Sequence, residues 1–294
     1  MSDLNGIAAK IRLLLELVKF EHSIFALPYA YIGAIYGAVV LDRWPTWAEV
    51  GWITVAMVGA RAFAFAVNRA VDREIDSRNP RTAGRAVPAG MIKAGELWVF
   101  SAVMLGAFLL AVWQLHPITR MLWPAVLAAF VIYPYTKRFT WLCHYWLGLC
   151  LGLAPVGAWV AVGAPIGDPA PWLFGAAVLV WTAGFDIIYA TQDFECDVRD
   201  GVHSVPADLG IAPGLFMTRV LHVLTIGFFV AAGWLVGAGW AYWAALTVAA
   251  ALLTYENAIV SPRDLSRVNA AFFTFNGIIA MVIFAGVVVD RVLV

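Results

Sequence analysis

Charge is what this sequence has least of. Asp, Glu, Lys and Arg make up 13% of its 294 residues, and 19 basic side chains are offset by 19 acidic ones. A chain with no bulk positive potential is not built to bind nucleic acid. Cysteine is equally scarce. Cys143, Cys150 and Cys196 are odd in number and lack the spacing of a zinc site or a disulfide framework. They read as thiols, the first two buried among apolar neighbours. Residues 1–22 lack the apolar stretch of a cleaved signal. They mix Asp3, Lys10, Arg12, Glu16, Lys19 and Glu21 with leucines, the pattern of an amphipathic helix lying at a membrane interface.

What the chain has instead is apolar length. Hydrophobic residues account for 63% of it, far above an ordinary soluble domain. Nine runs approach the roughly 20 residues that a spanning helix needs: about 23–41, 48–69, 95–114, 117–134, 142–163, 171–190, 215–236, 239–256 and 268–289. Backbone satisfaction in lipid allows only helices or closed barrels, and these runs are too long for barrel strands. The expected fold is all-α, a polytopic bundle of about nine transmembrane helices around a central cavity, and residues 1–294 form a single domain.

Charge placement orients the bundle. The N-terminal segment and the loops after even-numbered spans carry Lys10, Arg12, Lys19, Arg73, Arg78, Arg81, Arg85, Lys93, Lys137, Arg138, Arg199, Arg263 and Arg267, whereas the other side has Arg43, Arg120 and Arg291. The positive-inside rule puts the N-terminus and the large loops in the cytoplasm and the C-terminus on the opposite side of the cell (inner) membrane.

The few acids are not scattered. Asn68-x3-Asp72-x3-Asp76 closes span two, and Tyr189-x3-Asp193-x3-Asp197 closes span six. Each is followed by a loop of about 20 residues containing Val-Pro-Ala, at 87–89 and 205–207. The spacing predicts a pseudo-repeat of four-helix units, 23–134 and 142–256, plus a final helix over 268–289. Residues four apart stack on one helix face, and Asp186 lies seven residues before Asp193 on nearly the same face. A single aspartate at a helix end is ordinarily a solvated charge. Two matched pairs beside a membrane interior are rare and point to function.

Clustered carboxylates require cations. An all-oxygen donor set favours a hard ion, Mg²⁺ in particular, which binds few carboxylates together with phosphate oxygens. Arg78, Arg81, Arg85, Arg199, Lys137 and Arg138 flank the acidic ends and suit a diphosphate. Arg61 differs, because it sits two turns inside span two. Its expected partner is Asp186 or an anionic part of the substrate. Most of the 14 tryptophans read as interfacial belts and packing.

At this point the motifs resemble a known family. Asn68-x3-Asp72-x3-Asp76 with Asn79-Pro-Arg-Thr-Ala-Gly-Arg85 is similar to the first signature of the UbiA superfamily of intramembrane aromatic prenyltransferases, and Tyr189-Ala-Thr-Gln-Asp193-x3-Asp197 to the second. Tyr133-Pro-Tyr-Thr-Lys137-Arg138 matches its basic loop. Lys19-Phe-Glu-His-Ser-Ile-Phe-Ala-Leu-Pro28 looks like the 4-hydroxybenzoate polyprenyltransferase branch. The resemblance implies a polyprenyl diphosphate donor, an aromatic acceptor, and two Mg²⁺ bridging the diphosphate. Asn68, Asp72 and Asp76 would hold one ion, and Asp193 and Asp197 the other. Lys137 with Arg78 or Arg81 would hold the diphosphate, and Tyr133 would lie near the leaving group. His203 stands where the family often carries lysine, a form reminiscent of the menaquinone-associated sub-branch. The acceptor is therefore 4-hydroxybenzoate or a dihydroxynaphthoate. The lipid bilayer is the remaining partner, and no protein partner is implied.

Two other classes compete. A polytopic transporter could use cytoplasmic-side acidic cation sites, but transport sites lie near the midplane at broken helices, and these acids crowd one end. Alcohol phosphatidyltransferases also use aspartates and Mg²⁺, and their Asp-Gly-Ala-Arg signature is absent.

Overall fold

A computed structural model describes Leu13 and residues 26–293. Leu13 packs against a buried cluster of Ala66, Val87, Ile92 and Leu97; the rest of the amphipathic segment expected over 1–22 lies outside the described residues. Twelve α-helices follow in order: α1 (Leu27–Val40), α2 (Trp47–Val71), α3 (Arg73–Arg78), α4 (Ala94–Gln114), α5 (Thr119–Thr136), α6 (Cys143–Ala161), α7 (Pro169–Ala190), α8 (Phe194–Asp200), α9 (Val205–Leu209), α10 (Ile211–Leu235), α11 (Trp240–Ala258) and α12 (Asn276–Leu293). A 3₁₀ turn, Thr191–Asp193, joins α7 to α8, and a π-helical turn, Ala270–Phe275, leads into α12.

The long helices occupy the expected runs. Among the described residues, six segments are long and apolar enough to cross a membrane: α2, α4, α6, α7 with its extension to Asp200, α10, and α12 with its π turn. Among the described residues, α1 is shorter, at 14 residues. The other two fall short because of polar content, with Arg120, Pro124 and Pro134 in α5 and Glu256 and Asn257 in α11.

Local chemistry sets the helix starts. Thr46 caps α2 in a reciprocal box, its Oγ1 accepting from Glu49 N–H at 3.2 Å while Glu49 Oε2 accepts from Thr46 N–H at 2.7 Å. Asp168 caps α7 by accepting from Ala170 N–H at 2.8 Å, with Pro169 in the first turn where no N–H is needed.

With lipid as solvent, helices associate through close packing of small residues. A Cβ added to Gly148 on α6 would fall 2.2 Å from the Leu179 carbonyl of α7, and one added to Gly33 on α1 would fall 2.1 Å from the Pro155 carbonyl of α6. These contacts anchor an aromatic core. Tyr29 meets Trp181 and Phe229, Tyr36 stacks on Phe174, and Trp159 is fully buried. The cavity lies beside this core, walled mainly by α2, α4, α5, α6 and α7.

Candidate active site

Both acidic signatures break their helices at the same step. Asp72 separates α2 from α3 with φ −89° and ψ 2°, and Asp193 separates the 3₁₀ turn from α8 with φ −100° and ψ 3°. This sparsely populated bridge region is where many active-site residues sit. The hydrogen-bond ladder survives the first break, since Asp72 N–H donates to Asn68 O at 2.9 Å and Asp76 N–H to Asp72 O at 2.8 Å. The single continuous helix expected from the spacing is therefore interrupted at its middle acid.

Asn68, Asp72, Asp76, Asp193 and Asp197 line one cavity of about 440 Å³ together with Arg61, Arg81, Tyr133, Lys137, Asp186, Tyr189 and His203. Its walls change character with depth. The mouth is ionic, and below it Met57, Phe108, Val126 and Leu151, with other apolar side chains, form the wall.

Cationic side chains of the same chain hold three of the acids. Lys137 Nζ donates to Asp72 Oδ2 at 2.6 Å, and Arg138 to Asp72 Oδ1 at 3.4 Å and to the Val71 and Pro134 carbonyls at 2.9 Å each. Asp76 accepts from Arg69 at 3.2 Å and from Arg85 at 3.1 Å. Asp193 Oδ1 accepts from Asn79 Nδ2 at 2.7 Å and from Arg81 Nε at 2.8 Å, while Arg81 also donates to the Tyr189 hydroxyl at 2.7 Å and lies over its ring. The loop after α3 thus straps the first half of the site to the second. Burial, the largest single influence, would lower the Arg81 guanidinium, but the hydrogen bonds and charges of Asp193 and Tyr189 together outweigh it and hold the group above its ordinary value. Asp197 Oδ2 accepts from Ser204 Oγ at 3.1 Å.

Several expected roles fall elsewhere. Arg78 does not line the cavity; it pairs with Glu74 on the exposed face of α3. Arg138 reaches Asp72 from outside the lining. His203 Nδ1 faces Asp208 Oδ2 at 2.8 Å, so a carboxylate already occupies that nitrogen. Arg61 does not pair with Asp186. Its guanidinium lies 4.9 Å from the Phe65 ring centroid, and its Nε is buried without a partner. Asp186 Oδ2 meets His144 Nδ1 at 2.7 Å. The backbone N–H of Val205 donates to His144 Nε2 at 3.1 Å, which fixes Nδ1 as the nitrogen that carries the hydrogen.

Sequence reasoning missed His144 and Arg69, and it placed Asn79 only as part of the first signature's loop, with no role. A weak signal existed for Arg69, which stands seven residues before Asp76 on the same face. None existed for His144, brought to Asp186 from 42 residues away.

Comparison with known proteins decides the family. The model of the UbiA prenyltransferase family matches residues 26–278. The chain belongs to the UbiA prenyltransferase family. A 4-hydroxybenzoate octaprenyltransferase of Pseudomonas fluorescens (strain Pf0-1) is 32% identical over 249 residues, covering 85% of this chain and 83% of the relative. Among solved structures, a UbiA homolog from Aeropyrum pernix K1 superposes with a TM-score of 0.83 at 32% identity, covering 92% and 98% of the two chains. A UbiA homolog from Archaeoglobus fulgidus, solved with GPP and Mg²⁺, shares the fold at 19% identity and a TM-score of 0.67, over 95% and 99%. This UbiA-family chain is accordingly a membrane prenyltransferase.

Proposed function

We propose that the protein transfers a polyprenyl group from its diphosphate to the ring of a hydroxylated aromatic acid, 4-hydroxybenzoate or a dihydroxynaphthoate, in quinone biosynthesis. One observation carries the reading. Both acidic signatures and the Lys137 and Arg81 cations share a single cavity whose deeper wall is apolar, a shape that suits an anionic head on a hydrocarbon tail.

The donor set fits Mg²⁺. Asn68, Asp72, Asp76, Asp193 and Asp197 offer amide and carboxylate oxygen to the cavity. Mg²⁺ is typically bound in this way, by one or two carboxylates with the rest of its shell from phosphate and water. Asn68, Asp72 and Asp76 would hold one ion and Asp193 and Asp197 a second. The Mg²⁺ found with GPP in the Archaeoglobus homolog supports the use of a divalent metal with a prenyl diphosphate. Bound Mg²⁺ supplies Lewis-acid charge toward the departing diphosphate.

The chain's own residues do the rest. Lys137 and Arg81 bind phosphate oxygens as a point charge and a planar fork, with Arg85 alongside. Tyr133 lines the same cavity and would sit near the leaving group. The apolar wall keeps water from the allylic cation, and Arg61, with an unused buried Nε, takes the carboxylate of the acceptor. The same reading puts the acidic mouth and the N-terminus on the cytoplasmic side of the cell (inner) membrane, the C-terminus opposite, and takes 23–134 and 142–256 as duplicated units. A transporter is the second reading, and nothing in the geometry favours it.

The test is direct. Purified protein in liposomes is given Mg²⁺, a polyprenyl diphosphate and each acceptor in turn, and the adduct is identified by mass spectrometry. A prenylated acceptor is expected. Substrate movement across the vesicle with no adduct would sink the reading.

A further inference from the structure

The cavity contains an acid that the signatures leave out. Asp186 lines it from α7, seven residues before Asp193 and so about 10 Å deeper along the helix. That depth takes it below the ionic mouth, toward the level where a prenyl carbon and an aromatic ring would meet.

Its two oxygens are in different situations. Oδ2 is held by His144 Nδ1, whose ring is oriented by the Val205 N–H on Nε2. Among the described residues Oδ1 has no hydrogen-bond partner, and the side chain is 20% exposed while lining the cavity. The signature acids of this cavity are differently placed. Asp72 is held by Lys137 and Arg138, Asp76 by Arg69 and Arg85, and Asp193 by Asn79 and Arg81. Asp197 is tied to Ser204 beside the mouth. The buried acids Glu256 and Asp290 do not line the cavity.

We infer that Asp186 is the base that takes the phenolic proton of the aromatic acceptor through Oδ1, and that His144 is a positioning residue that aims it. The inference rests on the prenyltransfer reading and assigns its proton. As the prenyl C–O bond breaks, its electron pair leaves with diphosphate. The ring carbon ortho to the hydroxyl bonds to the allylic carbon, and the O–H electron pair replenishes the ring as the proton passes to Asp186. The resulting dienone then loses its ring proton to the diphosphate, and the oxygen regains a proton from Asp186. The carboxylate is restored, and the products are the prenylated phenol and protonated diphosphate.

Two reactions of the same enzyme separate this role from a structural one. Prenyl transfer needs the base, whereas Mg²⁺-dependent hydrolysis of the prenyl diphosphate to its alcohol without acceptor does not. Asp186→Asn should lower transfer by about 10²-fold or more, within the usual worth of a positioned base, while hydrolysis stays within about threefold of wild type. A ring-fluorinated acceptor whose phenol is already ionised should recover much of the lost transfer. His144→Asn, which keeps an N–H near Nδ1, should retain more kcat than His144→Phe, with the donor KM unchanged in both. Transfer by Asp186→Asn within about threefold of wild type, or loss of transfer and hydrolysis together, overturns the inference alone. No adduct from the wild-type enzyme with any acceptor overturns the prenyltransfer reading and this inference with it.

Discussion

Asp72 and Asp193, 121 positions apart in the chain, interrupt their helices with nearly the same backbone angles, −89° and 2° against −100° and 3°. Both acids, one from the end of α2 and one from the end of α7, line the same cavity. A cation meets each, Lys137 on the first and Arg81 on the second.

Neutralising either acid should therefore disable the same step. Asp72→Asn and Asp193→Asn are each expected to lower prenyl transfer by at least about 10²-fold, the scale seen when one preorganised charge-stabilising group is lost. Glu74→Gln, on the exposed face of α3 with Arg78, should stay within about twofold. Initial rates followed by mass spectrometry of the adduct would decide it; full activity in either aspartate variant rules out the proposed metal and diphosphate site.

Arg81→Lys is not conservative here. The guanidinium makes a two-pronged contact with Asp193 and also reaches Tyr189, and one ammonium cannot reproduce that fork. The donor KM should rise about tenfold. Because the Arg81 pKa is raised, its pairing is fully present below the ordinary arginine value and lost only above the raised one. Between pH 6 and pH 9, roughly the assayable window, Arg81 should contribute no pH dependence to donor binding. A donor KM that moves with pH in wild type but not in Arg81→Lys would contradict this.

Helix packing gives a stability prediction. Gly148→Ala would set a methyl 2.2 Å from the Leu179 carbonyl, forcing α6 from α7 at a cost of roughly 1–3 kcal/mol. Thermal unfolding in detergent should show a lower Tm. Gly106→Ala, where the added Cβ meets nothing within 4 Å, should not.

The π turn offers another. Asn276 Nδ2 reaches the Ala271 carbonyl at 3.0 Å, the Phe272 carbonyl at 3.2 Å and Glu256 Oε1 at 3.2 Å. It thereby holds the turn that sets Phe272 against Tyr189, the rings tilted by 31° with centroids 4.1 Å apart. Asn276→Leu strips a donor from buried carbonyls and should cost about 2 kcal/mol. Unfolding in detergent would measure it, and an unchanged Tm would show that the turn holds without Asn276.

Much of this was legible in the sequence, for physical reasons. Apolar length fixed the positions of the long helices to within a few residues, because lipid demands it. The four-residue spacing of Asn68, Asp72 and Asp76 located the first acidic cluster, because a helix face repeats at that interval. Pairings between helices were not legible. Nothing in the spacing says that Asp186 meets His144 rather than Arg61, or that Arg81 enters the cavity while Arg78, three residues earlier, turns outward. Those outcomes depend on the helix break at Asp72 and on the path of the loop after α3. Both are tertiary matters that leave no periodicity to read.

The ion pairs on Asp72, Asp76 and Asp193 bear on biogenesis as well as chemistry. A knot of acids at the edge of a bilayer would ordinarily resist insertion or wait for a metal to tame it. Here the counter-ions are woven into the same polypeptide, so the acids arrive already neutralised. The protein should therefore mature in a magnesium-starved membrane to full abundance, idle but intact, and begin turnover as soon as the ion is supplied.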